Sequence, residues 1–449
     1  SEATRRAETL DLAVLEAGQR AGGRIRTTRE NGYLIEWAAN AVQGTDNAAW
    51  RLAESAGLAD QRILARPVAA RRYVWRRGRL HQLPLSPGAF FGFTGISPAA
   101  RLRVAMEPFL ASRVKKEESV HDYAVRHIGE EAADVLVGAV VRGVFAGNSR
   151  RLSVDAAFPV MREMERRHRS LVLAMMARGK KSRERRASGP GARALWTLSG
   201  GMESLTDALT AKLSDAVRLA TPALALERTT TGYLVRTASG DRLEADAVVL
   251  ATSPRATAAL IRPLDPEVAK LLGTIESAGI AVVGMAFRRD RFRTSPDGYG
   301  YLVAPGEDLP ILGALFESNL FPGRAPEGEV LVRVMMGGTD RPELITRSDA
   351  DLAGLAMGAL DRTHGLASGP ERTWVAKQEA SIPQYTVGHM ALLASLDRRL
   401  AMQPRLYLAG NGYRGVSVSS LVEDAERIAA RVVAGPAPVV SGPSPAGRT

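Results

Sequence analysis

At 449 residues the chain is too long for one simple core, and two or three domains are the expectation. It has no cysteine, so disulfides, thiolate metal sites and a cysteine nucleophile are excluded, and its six histidines lie scattered without an HExxH pair, which argues against a zinc or iron centre. The net charge is +12, yet Arg178–Arg193 alone holds seven basic residues against one acidic, and no aromatic residue is interleaved there, so nucleic-acid binding is not expected.

The chain opens on Leu12–Leu15, an apolar run long enough for one buried parallel strand. Glu16 and Ala17 end it, and Gly22-Gly23-Arg24 follow. In a dinucleotide-binding sheet an acidic residue ending the second strand accepts hydrogen bonds from ribose hydroxyls, and paired glycines let backbone approach a diphosphate. Such a fold carries strand–GxGxxG–helix about 20 residues ahead of that acidic residue. Only Ser1–Leu10 precedes the strand and no GxGxxG lies in it. The expectation is a missing front segment, with poor solubility and weak dinucleotide binding as its consequence.

Ala48–Gly57 reads as a helix stopped by its glycine. Ala70–Trp75 and Leu80–Leu83 read as a strand pair around an Arg-Gly turn. Phe90, Phe91 and Phe93 then form an apolar stretch, facing either a ligand or lipid surface or an ordinary packing interface. Ala99–Ala177 has helical spacing, and Arg178–Arg193 reads as a solvated loop. A helix follows with Met202, Leu205, Leu209 and Leu213 on one face. Strands are expected at Arg218–Glu227, Tyr233–Thr237, Leu243–Ala245 and, buried, Ala247–Ala251. Ile280–Arg288, Gly300–Val303, Ile311–Ser318 and Val330–Met336 predict a separate antiparallel sheet, and Leu352–Leu360 a helix. Leu406–Ala409, the glycine-rich loop Gly410–Gly415 and a helix over Ser419–Val433 form a strand–loop–helix anion site, and a disordered Pro/Gly/Ser tail is expected from Gly435. No uncharged apolar stretch reaches the ~18 residues of a membrane span.

LEAGQRAGGRIRT, RRYVWRRGRLHQLP, LSGGMESL, GYGYLVAPGEDLPILGALFES, RVMMGG, IPQYTVGH and LYLAGNGYRGVSVSSLVEDA occur in one order, and in them the chain resembles the flavin-dependent protoporphyrinogen oxidases of the amine oxidase superfamily up to about Val433. The resemblance implies an α/β fold with a Rossmann-like FAD-binding domain, an antiparallel-sheet substrate domain and a mainly helical, membrane-facing insertion. The expected division gives FAD binding to 1–69, 196–260 and 376–434, the substrate domain to 70–98 and 261–375, and the insertion to 99–195.

The implied activity is FAD-dependent oxidation of a porphyrinogen, six electrons in three rounds, with O2 as acceptor and H2O2 as product. By resemblance Glu16, Ala17, Gly22, Gly23, Arg24, Ala223, Gly410, Val416, Ser417 and Val418 contact FAD. Arg72 meets a substrate propionate, while Gly300, Leu302 and Met335 wall the substrate cavity; read from pattern alone, these are a solvated strand arginine and core residues. No metal and no side-chain catalytic group is implied, since the flavin carries the chemistry. Ala38-Ala39 depart from the family's Gly-Pro after the Glu36 position. A homodimer and a peripheral contact with the inner membrane from the cytoplasm complete the implied partners and location. Coproporphyrinogen III oxidase and a non-catalytic remnant without FAD stand as alternatives.

Overall fold

The computed structural model describes residues 10–114, 116–174 and 194–435, so the basic run at 178–193 and the tail from 436 lie outside the described residues. The first strand is short, Val14–Leu15, and pairs in parallel with Val217–Arg218. Val248–Leu250 pairs in parallel with Leu406–Leu408. These two parallel pairs are the nucleotide-type part of the fold, and an antiparallel meander, Ala223–Arg228, Tyr233–Thr237 and Arg242–Ala245, joins them in sequence. The single strand expected over Arg218–Glu227 is therefore two, because the chain leaves one sheet at Leu219 and enters another at Ala223. Val249 is also 43% exposed rather than buried, since only one strand flanks it among the described residues.

The larger sheet has seven strands, in the order Arg372–Pro383, Ser277–Arg288, Glu329–Gly337, Gly313–Phe316, Gly300–Val303, Tyr73–Arg76 and Arg79–Gln82. Every pairing is antiparallel except Gly300–Val303 with Tyr73–Arg76. The sequence reading had no strand at Arg372–Pro383, whose mixture of Lys, Gln, Glu and Ser hides its period. Helix Asp349–His364 packs against one face through Leu352, Ala356, Ala359 and Leu360, meeting Val283, Met285, Val332 and Val334. Ser348 starts that helix by accepting the Asp351 N–H at 3.1 Å.

The opposite face meets the hairpin Thr27–Glu30/Tyr33–Glu36, and Ile35 and Trp37 pack there against Ile280, Val282 and Leu331. Polar groups fix that contact. Glu36, 1% exposed, accepts from Arg324 Nη1 at 3.1 Å, Met202 N–H at 2.8 Å and Thr27 Oγ1 at 2.8 Å. Arg333, in the sheet, donates to the carbonyls of Glu36 (2.8 Å) and Ala38 (3.0 Å), and its Nε lies 3.1 Å from buried Glu317. Burial pushes the Glu36 carboxyl above its ordinary value, and the Arg324 charge and the two hydrogen bonds from Met202 and Thr27 oppose that push.

The helical region comprises Pro98–Ala105, Val120–Ile128, Ala139–Phe145 and Pro159–His168, with a π-helical stretch at Ala133–Gly138. It shares the core of Val120, Tyr123, Val141, Phe145 and Leu152 with Tyr385. The three phenylalanines divide: Phe93 is buried beside Val74 and Ile96, Phe90 packs against that cluster, and Phe91 is 63% exposed. Leu213, expected on the buried face of its helix, is the C-cap residue of Glu203–Lys212 and is exposed.

Removing one partner of a buried ion pair costs about 3–5 kcal/mol, because the other charge stays buried. Arg324→Ala is therefore expected to lose about that much stability at pH 8. The loss should shrink as pH falls, starting above the ordinary carboxylate range near 4.3, because burial raises the Glu36 carboxyl and without Arg324 it takes a proton earlier. Denaturant unfolding of the two proteins across that range checks both the size and the sign.

Candidate functional site

Glu16 and Ala17 lie at the carboxyl end of Val14–Leu15, the end at which such sheets bind ligands. The Glu16 carboxylate accepts the Gly18 N–H at 2.7 Å, and its backbone is held by Arg218 and Thr221. The loop that follows is braced by Arg20, which donates to the carbonyls of Ala21, Gly23 and Ile25 and lies 3.2 Å from Glu203. Gly22 has φ +101°, and a Cβ there would come within 2.7 Å of the Thr206 side chain. Gly23, at φ +58°, has no atom within 4 Å of the position a Cβ would take. Arg24 donates to the Ala380 carbonyl of the large sheet, and burial draws its guanidinium below its ordinary value.

The second wall is the loop after Leu406–Leu408. Gly410 has φ +105°, and nothing lies closer than 3.6 Å to its Cβ position. Ser417 caps the helix Val418–Ala434 by accepting the Ser420 N–H at 3.1 Å, and the first turn of that helix carries no acidic residue. The positive end of its dipole is thus uncompensated by a carboxylate. Val416 packs on the helical region and Val418 on the cluster of Trp50, Trp196 and Leu198. Ala223 opens the antiparallel meander and is half-buried. An acidic acceptor, room beside Gly23 and Gly410 and a helix N-terminus without a first-turn carboxylate fit the ribose and diphosphate of a dinucleotide.

Strand register decides the other half of the site. Leu302 pairs with Gly313, Gly313 with Met335, Met335 with Val282 and Val282 with Ala376, so these five share one face of the sheet. Gly300, Leu315, Arg333, Gly284 and Trp374 form the next row of that same face. Arg72 precedes Tyr73, whose partner is Tyr301, so Arg72 falls on the Leu302 side. Gly300, Leu302, Met335 and Arg72 are thereby brought together on the face that looks toward the hairpin and Trp37. Leu302 also fits against Gly143 and Gly313, where an added Cβ would approach it to 2.6 and 3.0 Å. The exposed Arg72 guanidinium stacks over the Tyr299 ring at 4.8 Å, and burial raises the Tyr299 hydroxyl, so that residue presents a neutral face.

Several functional side chains escaped the sequence reading. Nothing in the sequence sets Arg324 or Arg333 apart from the other arginines, although Arg333 sits in the RVMMGG stretch. Tyr385, in IPQYTVGH, donates its hydroxyl to the Asn411 carbonyl at 2.6 Å and accepts the Gly415 N–H at 3.0 Å, bridging the glycine-rich loop. Burial pushes that hydroxyl well above the usual tyrosine value, so it remains a donor. The ring stacks on His389 at 4.4 Å between centroids, and His389 donates from Nε2 to Tyr413 at 3.0 Å. Tyr385→Phe removes both hydroxyl bonds and leaves the Gly415 N–H unpaired, at a cost of about 1–3 kcal/mol to the loop. Faster amide exchange at Gly415 and an FAD affinity about tenfold lower are expected, with the melting temperature of the rest of the fold little changed; unchanged exchange would contradict the brace.

The fold recurs in known proteins. The model of the family described as flavin containing amine oxidoreductase matches residues 5–433. The chain is 32% identical to the protoporphyrinogen oxidase of Bos taurus, over 94% of this chain and 93% of that one. It is 27% identical to the coproporphyrinogen III oxidase of Bacillus subtilis (strain 168), over 92% and 90%. It superposes on a crystal structure from Exiguobacterium sp. 255-15 with a TM-score of 0.81 at 24% identity, covering 96% of this chain and 95% of that one. The chain belongs to the flavin containing amine oxidoreductases, the FAD-dependent family that its glycine loops and terminal strand–loop–helix unit had indicated.

Proposed function

We propose that this protein oxidises protoporphyrinogen IX to protoporphyrin IX, removing six electrons in three two-electron rounds with O2 as the final acceptor. The observation that carries the reading is the apolar sheet patch of Gly300, Leu302 and Met335 with the exposed Arg72 guanidinium at its margin. The names of relatives about 30% identical over nearly their whole length support it. FAD, when bound, takes a hydride equivalent in each round and returns to its oxidised form by passing the electrons to O2. Glu16 and Ala17 would hold its ribose, Gly22, Gly23 and Arg24 its diphosphate side, Ala223 its adenine, and Gly410 with Val416-Ser417-Val418 the terminal contacts.

The chain's own part is to bind, orient and keep water away. Leu302 and Met335 offer the macrocycle a greasy wall, and the guanidinium of Arg72 clamps one propionate, which fixes the rotation of an otherwise featureless ring. Arg333 lies on the same face but is committed to Glu36, Ala38 and Glu317, so it holds the Glu36–Asn40 segment rather than the substrate. Leu102, Met106, Phe109 and Leu110 expose 62%, 42%, 82% and 46% of their surfaces along consecutive turns of the helical region. They support a peripheral lipid contact there, and no helix among the described residues is long and apolar enough to cross a membrane.

Relatives named coproporphyrinogen III oxidase at 27% and 30% identity favour a second reading, with a substrate of four propionates. Purified protein with FAD, offered each porphyrinogen under air, separates the two by porphyrin fluorescence. Faster turnover of protoporphyrinogen is expected, and activity on neither would overturn both readings. Arg72→Ala should raise KM about tenfold with kcat within about threefold, because the clamp binds ground and transition states alike. Unchanged KM would remove Arg72 from the site.

A further inference from the structure

Away from the flavin and substrate face, His121, Glu130 and Asp134 each bring one ligand-type atom to a common point, all within 4.8 Å of one another. His121 sits in the first turn of Val120–Ile128 and is 4% exposed, its backbone N–H bound to the Ser149 carbonyl at 2.9 Å. Its Nε2 is buried without a hydrogen-bond partner and points at Asp134, 3.2 Å from Oδ1. Glu130 and Asp134 are four residues apart, which puts both carboxylates on one side of the next helical segment. Asp134 lies within the π-helical stretch Ala133–Gly138, a distortion that re-aims side chains.

A cation already answers this cluster. The Arg150 guanidinium lies 3.5 Å from Asp134, 3.9 Å from Glu130 and 3.4 Å from His121 Nδ1, yet its side chain is 55% exposed. It makes only long contacts, 3.4–3.9 Å, to a set of groups that a small ion would hold more closely. Atoms about 2.1 Å from a tetrahedral zinc stand roughly 3.4 Å apart, and the Glu130 side chain, 73% exposed, is free to close the remaining distance. Asp122 Oδ1 lies 3.7 Å from His121 Nδ1, the position from which a second carboxylate orients a ligating imidazole. A polar cavity of about 480 Å³, lined in part by Asp134, Arg142, Arg150 and Asp340, borders the cluster and gives water a route to an open coordination position.

We propose that His121 Nε2, Glu130 and Asp134 form a site for one zinc-class divalent cation, for which the Arg150 guanidinium is the competing cation of the ion-free protein. The imidazole directs the site away from Mg²⁺ and Ca²⁺, which take oxygen ligands. An ion on Nε2 leaves Nδ1 on the side of Asp122, and it releases Arg150 to solvent. The ion then ties Val120–Ile128 to the π-helical segment.

The test uses the untagged full chain, dialysed against chelator and titrated with Zn²⁺ by calorimetry, with Co²⁺ as an optical probe. One ion per chain, intense visible Co²⁺ absorption and a higher melting temperature with Zn²⁺ are expected. Glu130→Gln and Asp134→Asn, which keep the side-chain size, should weaken binding about tenfold or more each. Arg150→Ala should tighten it, because the competitor is gone. Non-saturating binding, or equal affinity in the wild type and both carboxylate variants, would overturn the site. Weaker binding by Arg150→Ala would overturn the competition.

Discussion

Two carboxylates buried between the nucleotide-type half and the large sheet set the geometry of this protein. Glu36 and Glu317 are both within about a hundredth of complete burial, and each meets an arginine that is itself buried, Arg324 and Arg333. A buried charge without a partner is too costly to persist, so the four groups have to meet in the folded state. That requirement joins the end of the Tyr33–Glu36 strand, the start of the Glu203–Lys212 helix through Met202, and the middle of Glu329–Gly337. Trp37 and the segment to Asn40 are thereby held over one face of the sheet, with Gln378 reaching the Trp37 carbonyl from its outermost strand.

Given that docking, strand parity does the rest. Alternation gives each strand one side for the Asp349–His364 helix and one for the hairpin, so a single-residue slip would exchange Leu302 and Met335 for Tyr301 and Met336. Gly313 lets the strands and the Leu302 side chain approach closely, and Gly143 does the same for the helix above. The face that results is apolar around Gly300, Leu302 and Met335, with Arg333 tied down by Glu36, Ala38 and Glu317 and Arg72 at the edge. This is what a macrocyclic, largely greasy substrate requires when a redox cofactor supplies the chemistry and the protein supplies orientation.

The terminal glycine-rich loop depends on a residue distant from it in sequence. Tyr385 spans Asn411 and Gly415 from the far end of the sheet's outermost strand, and His389 supports both the ring and the Tyr413 carbonyl. Arg24 makes the reciprocal tie, from the first glycine loop to Ala380 of that strand. Both glycine loops are therefore referred to the Arg372–Pro383 strand and its continuation, which couples their geometry to the large sheet.

Much of this was legible in the sequence. The strand end at Glu16, the positive φ of Gly22, Gly23 and Gly410 and the helix start after Ser417 were legible because they follow from neighbouring residues. The four strands of the large sheet from Ile280 to Met336, and the helix after Ser348, were equally clear from their periods. The Arg372–Pro383 strand was not, because it lies at an edge and alternates weakly. Nor could the sequence separate Arg324 and Arg333 from the many arginines at the surface, or say that Arg72, Gly300, Leu302 and Met335 share a face. Those facts rest on pairings between residues far apart in the chain, where strand register and the need to neutralise buried charge, rather than local preference, select the partner.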